Sequence, residues 1–203
     1  MLTLNNIACE RGGRRLFSGL GFTVGDCCTV IIRGGNGSGK TTLLNTIACL
    51  SSPADGEILY ANENVRGEHW AEYCGIINYI GHKNAVKPQL TVRENIEFWA
   101  DLTDSGDRTD AAMSFFDLDQ YADVLCYKLS VGWQKKVALA RLLACRSEIW
   151  LLDEPFASLD EETSLKLASI MQTRCEQGGS VILTAHGSVP IESSCEIRLE
   201  DFA

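Results

Sequence analysis

An eight-residue stretch, Gly34-Gly35-Asn36-Gly37-Ser38-Gly39-Lys40-Thr41, constrains this chain more than any other. It fits the pattern G-x-x-x-x-G-K-[ST], and its neighbours fit with it. Cys28 to Ile32 is a short, β-branched apolar run that reads as a buried strand, and Thr42 to Leu50 reads as a helix. A strand, a glycine-rich turn and a helix start aim several backbone N–H groups at one point. Such a concavity suits a polyphosphate, and the helix N-terminus adds partial positive charge. Glycines let the backbone approach phosphate oxygens with no Cβ in the way. Gly34 to Thr42 are therefore the candidate nucleotide-binding residues. Lys40 is the residue to reach the β- and γ-phosphates, and the Thr41 hydroxyl the one to hold Mg²⁺.

The chain's 203 residues suit one domain, or one domain with an inserted lobe. A hydrophobic content of 45 % with 22 % charged residues is that of an ordinary globular protein. No run of 18 apolar residues occurs, so direct membrane insertion is not expected. The start, Met1 to Gly13, lacks a basic stretch followed by an apolar one and does not read as a signal peptide. Net charge is −9, which argues against a nucleic-acid groove as the main function. The nine cysteines form no C-x-x-C pair and read as reduced, small hydrophobes.

Taken in order, Leu2 to Ala8 and Leu16 to Val24 read as strands around a polar turn at Glu10 to Arg15. Gly56 to Ala61 and Gly75 to Ile80 are further strands, with a loop and short helix over Arg66 to Glu72. From Ala85 to Cys145 the pattern turns helical. Thr91 to Glu94 is a capping-box signature opening a helix to Leu102. Asp110 to Leu118 and Gln120 to Tyr127 read as short helices, and Ser130 as the N-cap of a long helix to Cys145. Strand and helix then alternate: Ile149 to Asp153, Glu161 to Cys175, Ser180 to Ala185, Glu196 to Leu199. The expectation is an α/β core (1–84 and 146–203) behind an N-terminal antiparallel β-layer, with a helical lobe inserted at 85–145.

Two further motifs carry chemistry. Ile149 to Leu152 is an apolar strand ending in Asp153, placed to bind Mg²⁺ directly or through water. Glu154 follows it and is the candidate to orient and deprotonate an attacking water. The third motif is Leu129-Ser130-Val131-Gly132-Trp133-Gln134 with a basic, apolar helix behind it, Lys135 to Arg141. This segment resembles the signature of ATP-binding-cassette ATPases, usually Leu-Ser-Gly-Gly-Gln. With it the remaining landmarks fall into that family's order along essentially the whole chain. Glu154 matches the family's catalytic glutamate, Ser158-Leu159-Asp160 its D-loop, and His186 its switch histidine.

The resemblance implies a P-loop ATPase fold, MgATP as the nucleotide, and a head-to-tail homodimer with two composite sites. Ser130 and the amides of Val131 and Gly132 then cap the γ-phosphate held by another subunit's Lys40 loop. Asp160 links the two sites, and hydrolysis releases the dimer. The family also implies membrane permease partners, docked near His82 to Gln89. The chain would thus lie on the cytoplasmic face of a bacterial inner membrane through those partners, with no nucleic acid involved.

The departures are specific. Val131 replaces the first signature glycine and Trp133 the usual glutamine; a β-branched residue at a first helical turn narrows the approach to the backbone. His82 stands where the family places a Mg²⁺-contacting glutamine, and a neutral imidazole can accept a water's hydrogen bond. Arg11 stands near the usual adenine-stacking aromatic, and a guanidinium plane can stack on a base. His69 has no evident partner and reads as surface. Together with Tyr79 to His82, Glu94 to Trp99 and Trp150 to Ala157, these features resemble the ATP-binding subunits of bacterial cytochrome c biogenesis heme exporters. Two alternatives stay open: a nucleotide-binding switch with little turnover, and the ATPase of a different small-molecule transporter.

Overall fold

The computed structural model describes residues 1–203. Its first layer is an antiparallel sheet. β1 (Leu2–Arg11) and β2 (Arg14–Val24) form a hairpin closed by Gly12 and Gly13, whose φ angles of 60° and 76° match the left-handed turn such a hairpin needs. The turn is tighter than Glu10 to Arg15. The ladder runs on to Arg11 and Arg14, and Arg15 Nε donates to Glu10 Oε1 at 3.1 Å across it. β4 (Asp55–Tyr60) pairs with the other edge of β1, and a two-residue strand β5 (Glu63–Asn64) completes the order β2-β1-β4-β5. The sequence gives no signal for so short a strand.

The second layer is a parallel sheet of β3 (Thr29–Arg33), β6 (Ile77–Ile80), β7 (Ile149–Leu152), β8 (Ser180–Ala185) and β9 (Cys195–Arg198), in the order β6-β7-β8-β3-β9. Its central strands are buried on both faces, as helix-covered parallel sheets require. Alternation along each strand divides the interior into two cores. Ile31, Trp150, Leu152, Val181 and Leu183 face one core, which also takes in Ile96, Met113, Phe116 and Leu139 of the helical segment. Val30, Ile32, Ile149, Leu151 and Ile182 face the other, with β1, β2 and α1 (Lys40–Ile47).

The helices follow their caps. α3 (Val92–Asp101) opens on a complete capping box: Thr91 Oγ1 accepts the Glu94 N–H at 3.2 Å, and Glu94 Oε2 accepts the Thr91 N–H at 2.8 Å. α5 (Val131–Ala144) starts after Ser130, whose Oγ accepts the Trp133 N–H at 3.4 Å. α6 (Glu161–Glu176) is capped by Asp160, which accepts the Thr163 N–H at 2.7 Å; that bond holds the Asp160 carboxyl below the usual carboxylate range.

Three expectations need correction. Gln120 to Tyr127 is not one helix. Two 3₁₀ turns, Asp119–Tyr121 and Cys126–Lys128, flank a stretch whose backbone also bonds the segment that opens α3: Val92 N–H to Val124 O at 3.1 Å and Cys126 N–H to Leu90 O at 2.9 Å. The short helix expected within Arg66 to Glu72 begins later, as α2 (Trp70–Gly75). His69 has two carboxylate neighbours, Glu63 at 3.2 Å and Glu72 at 3.1 Å, on the surface. The remaining helix, α4 (Thr109–Phe115), packs against both α5 and α3, which also pack on each other.

Candidate nucleotide-binding site

All five parallel strands end on one side of the sheet, where open α/β sheets place their ligands. The glycine-rich loop follows β3, His82 follows β6, Asp153 and Glu154 follow β7, and His186 follows β8. The residues expected to act together are thus delivered by neighbouring strands from distant parts of the chain.

The loop has the backbone its sequence demands. Gly37 and Gly39 have φ angles of 81° and 106°, which strain any residue with a Cβ. A Cβ on Gly39 would also sit 2.9 Å from the Phe17 ring, whereas one on Gly37 would meet open space. α1 has no side-chain cap, so its first amides remain free for an anion. Ser38 Oγ is buried with no partner. Free amides, an orphaned hydroxyl and an open side at Gly37 fit a phosphate chain.

Lys40 is only 6 % exposed. Its Nζ donates to Gly34 O at 2.8 Å and Gly35 O at 3.2 Å, and lies 2.9 Å from His186 Nε2 and 3.6 Å from Glu154 Oε1. His186 Nε2 is 2.8 Å from Glu154 Oε1. That ring nitrogen carries either a proton or a lone pair. It therefore serves Glu154 as donor or Lys40 as acceptor, not both at once. Lys40, Glu154 and His186 form one closed polar triangle at the loop's mouth.

Asp153 is 1 % exposed and makes no direct ion pair. Thr41 Oγ1 donates to its Oδ2 at 2.7 Å and Thr184 Oγ1 to its Oδ1 at 2.7 Å. A buried carboxylate beside the hydroxyl of Thr41 is an oxygen donor set of the kind a hard divalent cation takes, so these residues fit Mg²⁺. Glu154 has a φ of 49°, in the left-handed region that side chains other than glycine rarely occupy. Its N–H bonds Thr184 Oγ1 at 2.8 Å, which holds the residue there. Such strain costs about 1–3 kcal/mol and collects at functional sites.

Arg11 and His82 line the same cleft of about 340 Å³ as Asn36, Gly37, Thr41, Thr42 and Glu154. Both are exposed and make no hydrogen bond there. Ser130, Val131, Gly132 and Asp160 do not line the cleft. Val131 is 71 % exposed at the head of α5. Trp133, beside it, has turned inward: its ring centroid is 4.4 Å from that of Tyr121, with Lys136 Nζ 4.6 Å over its face. Gln134 is tied to Cys126 O and Leu129 O at 3.0 and 3.2 Å.

Three residues of the site escaped the sequence reading. Thr184 had a faint signal, a hydroxyl between Leu183 and Ala185 in an apolar strand. Lys135 is a buried lysine on α5; burial lowers its ammonium pKa, while the nearby charges of Asp153 and Glu154 oppose that fall. Glu200 gave no signal, yet its Oε1 accepts the Gly35 N–H at 2.6 Å.

The family model described as ABC transporter matches residues 17–157. The chain belongs to the ABC transporter family, as an ATP-binding subunit. Among curated relatives, the cytochrome c biogenesis ATP-binding export protein CcmA of Paramagnetospirillum magneticum is 39 % identical, covering 98 % of this chain and 93 % of that protein. The CcmA of Rickettsia bellii is 38 % identical over 98 % of this chain and 100 % of its own. The solved ATP-binding cassette MJ0796, a dimer in a post-hydrolysis state with ADP and Pi bound, superposes with a TM-score of 0.80 at 27 % identity, covering 92 % of this cassette and 88 % of that one. The expected fold class is thus the one observed, and ATP hydrolysis is this cassette's family activity.

Proposed function

We propose that this cassette is the ATPase of a heme-export complex of cytochrome c maturation, with its MgATP site at Gly34 to Thr42. The meeting of Lys40, Glu154 and His186 at the mouth of the loop, with Asp153 bonded to Thr41 beside them, carries the site assignment; near-full-length similarity to CcmA proteins supports the heme role. Thr41 and Asp153 would hold Mg²⁺, which when bound neutralises charge on the phosphates. Lys40 exchanges its carbonyl and His186 contacts for the phosphate chain. Glu154 is then free to take a proton from the attacking water, which His186 orients. Arg11 faces the base, and His82 accepts a hydrogen bond from a water near Thr41.

The site is half of a whole in this reading. Ser130 and Val131 are exposed and Gly132 is half-buried at a helix start, open to capping a second copy's γ-phosphate, and Asp160 is exposed at the head of α6. The partners are a second cassette and integral membrane permease subunits that handle heme, seated near His82 to Gln89. No helix is long and apolar enough to cross a membrane, so attachment to the cytoplasmic face of the inner membrane runs through those subunits.

The test is complementation. A bacterium lacking its own CcmA regains c-type cytochromes when given this chain, and fails to with Lys40→Ala. Wild-type chain that hydrolyses ATP but restores no cytochrome assigns it to a different transporter. The exposed Val131 at the signature favours a second reading, a switch with little turnover. Tight ATP binding with no phosphate released in a single-turnover assay supports that one.

A further inference from the structure

Of the five strands that end at the site, β9 contributes the one group with no place in the reading above. Glu200 sits on a 3₁₀ turn, Leu199–Phe202, directly after β9. Its carboxylate is exposed, and an exposed contact from a loose side chain counts for little. This one is not loose. Leu199, 1 % exposed, is buried in the core beneath α1, and Phe202 packs against the same core, so both flanks of Glu200 are anchored. Glu200 Oε1 meets the Gly35 N–H at 2.6 Å, joining residues 165 positions apart.

Gly35 matters because of its other half. Gly35 O accepts the Ser38 N–H at 3.2 Å and Lys40 Nζ at 3.2 Å, while Gly34 O accepts Lys40 Nζ at 2.8 Å. The Gly35 N–H lies in one rigid peptide plane with Gly34 O, so whatever fixes that N–H fixes the carbonyl that takes Lys40 at the shorter distance. The carboxyl of Glu200 is held below the usual range by its own backbone N–H and by the Gly35 N–H, with the Lys40 charge adding to both. It is thus an anion whenever the protein works. It lies against Gly34 and Gly35, while Gly37 faces the open space where phosphate enters.

We propose that Glu200 is a positioning residue of the nucleotide site, holding the Gly34–Gly35 peptide so that the Gly34 carbonyl presents Lys40 to the phosphates. The proposal rests on reading Gly34 to Thr41 as the nucleotide cradle. It makes the C-terminal strand part of the site.

The experiment measures MgATP dissociation constants, KM, kcat and nucleotide-free thermal midpoints for the full chain and for Glu200→Ala, Glu200→Gln and Lys40→Ala. Glu200→Ala raises the dissociation constant and KM about three- to tenfold, the scale of one charge-assisted hydrogen bond, with kcat within about twofold. Its nucleotide-free midpoint stays at the wild-type value. Glu200→Gln, whose amide oxygen still accepts the Gly35 N–H, recovers most of the affinity. Wild-type or tighter binding by Glu200→Ala overturns the proposal, as does a loss that only follows a lowered thermal midpoint. Lys40→Ala separates the two levels: if it binds MgATP as the wild type does, the cradle reading fails, and the role of Glu200 with it.

Discussion

Thr184 Oγ1 donates a hydrogen bond to Asp153 Oδ1 at 2.7 Å and accepts one from the Glu154 N–H at 2.8 Å. One hydroxyl on β8 therefore sets two consecutive acids at the end of β7, the buried one and the strained one. Thr184 is fully buried, so removing the hydroxyl leaves both partners short with no water to replace it. Thr184→Val keeps the shape. It should lower unfolding free energy by about 1–3 kcal/mol and reduce ATP turnover by at least about tenfold, the usual cost of losing an outer-shell support. Denaturant titration and steady-state ATPase assays measure the two effects; full turnover in the valine variant removes Thr184 from the site's support.

In the proposed mechanism Glu154 acts as base only after its contacts to His186 and Lys40 open. Glu154→Gln keeps the size and removes the charge. Turnover is expected to fall by at least about 100-fold, with an ATP-bound dimer accumulating in size-exclusion chromatography. Residual turnover near wild type assigns the base elsewhere.

The composite site predicts rescue by mixing. Lys40→Ala spoils one subunit's loop, and Ser130→Ala spoils the other's signature. A mixed dimer holds one doubly damaged site and one intact site. Half of random dimers are mixed, so an equal mixture of the inactive variants should reach roughly a quarter of wild-type turnover, provided each site works independently in a two-fold dimer. A mixture as silent as its parents, in both steady-state and single-turnover assays, argues that nucleotide is not shared between copies.

Alkaline pH should loosen the fold. Burial pushes the Cys126 thiol up to about 11, with the Asn95 amide opposing, and burial pushes Cys49 up to about 11 as well. Burial and the Glu148 carboxylate together raise the Tyr60 hydroxyl to about 12. Each group binds its proton more tightly folded than unfolded. Its contribution is complete below the unfolded value, near 9 for the thiols, and is lost as pH rises through the folded value near 11. Thermal midpoints should hold to about pH 9 and then drop by several degrees toward pH 11. Cys126→Ala should flatten part of that slope. A level midpoint across the range contradicts the burial assigned to these groups.

The strands after which chemistry comes were readable because each announces itself locally. Apolar runs end in a glycine loop, in Asp153-Glu154 and in His186, and two helices carry their caps at Thr91 and Ser130. What was not readable depends on pairing. Residues 122–126 had helical composition, but their backbone found partners at Leu90, Val92 and Arg93. His69 seemed partnerless because Glu63 approaches it only once β4 and β5 fold back. Trp133 stood where a polar signature residue was expected, and only the nearness of Tyr121 accounts for its turning inward. Thr184 makes two hydrogen bonds and Glu200 one across the sheet's end, and no periodicity encodes such bonds.

The shared interior has a mechanical result. Ile96, Met113 and Leu139 of the helical segment belong to the same core as Trp150, Leu152 and Leu183 of the parallel sheet. Swinging the helices away on a hinge would wet that whole face. Motion of α5 and its Ser130 tip should therefore be a slide of a few ångströms at most over an unbroken greasy contact, a shear that reports at β7 within reach of Asp153.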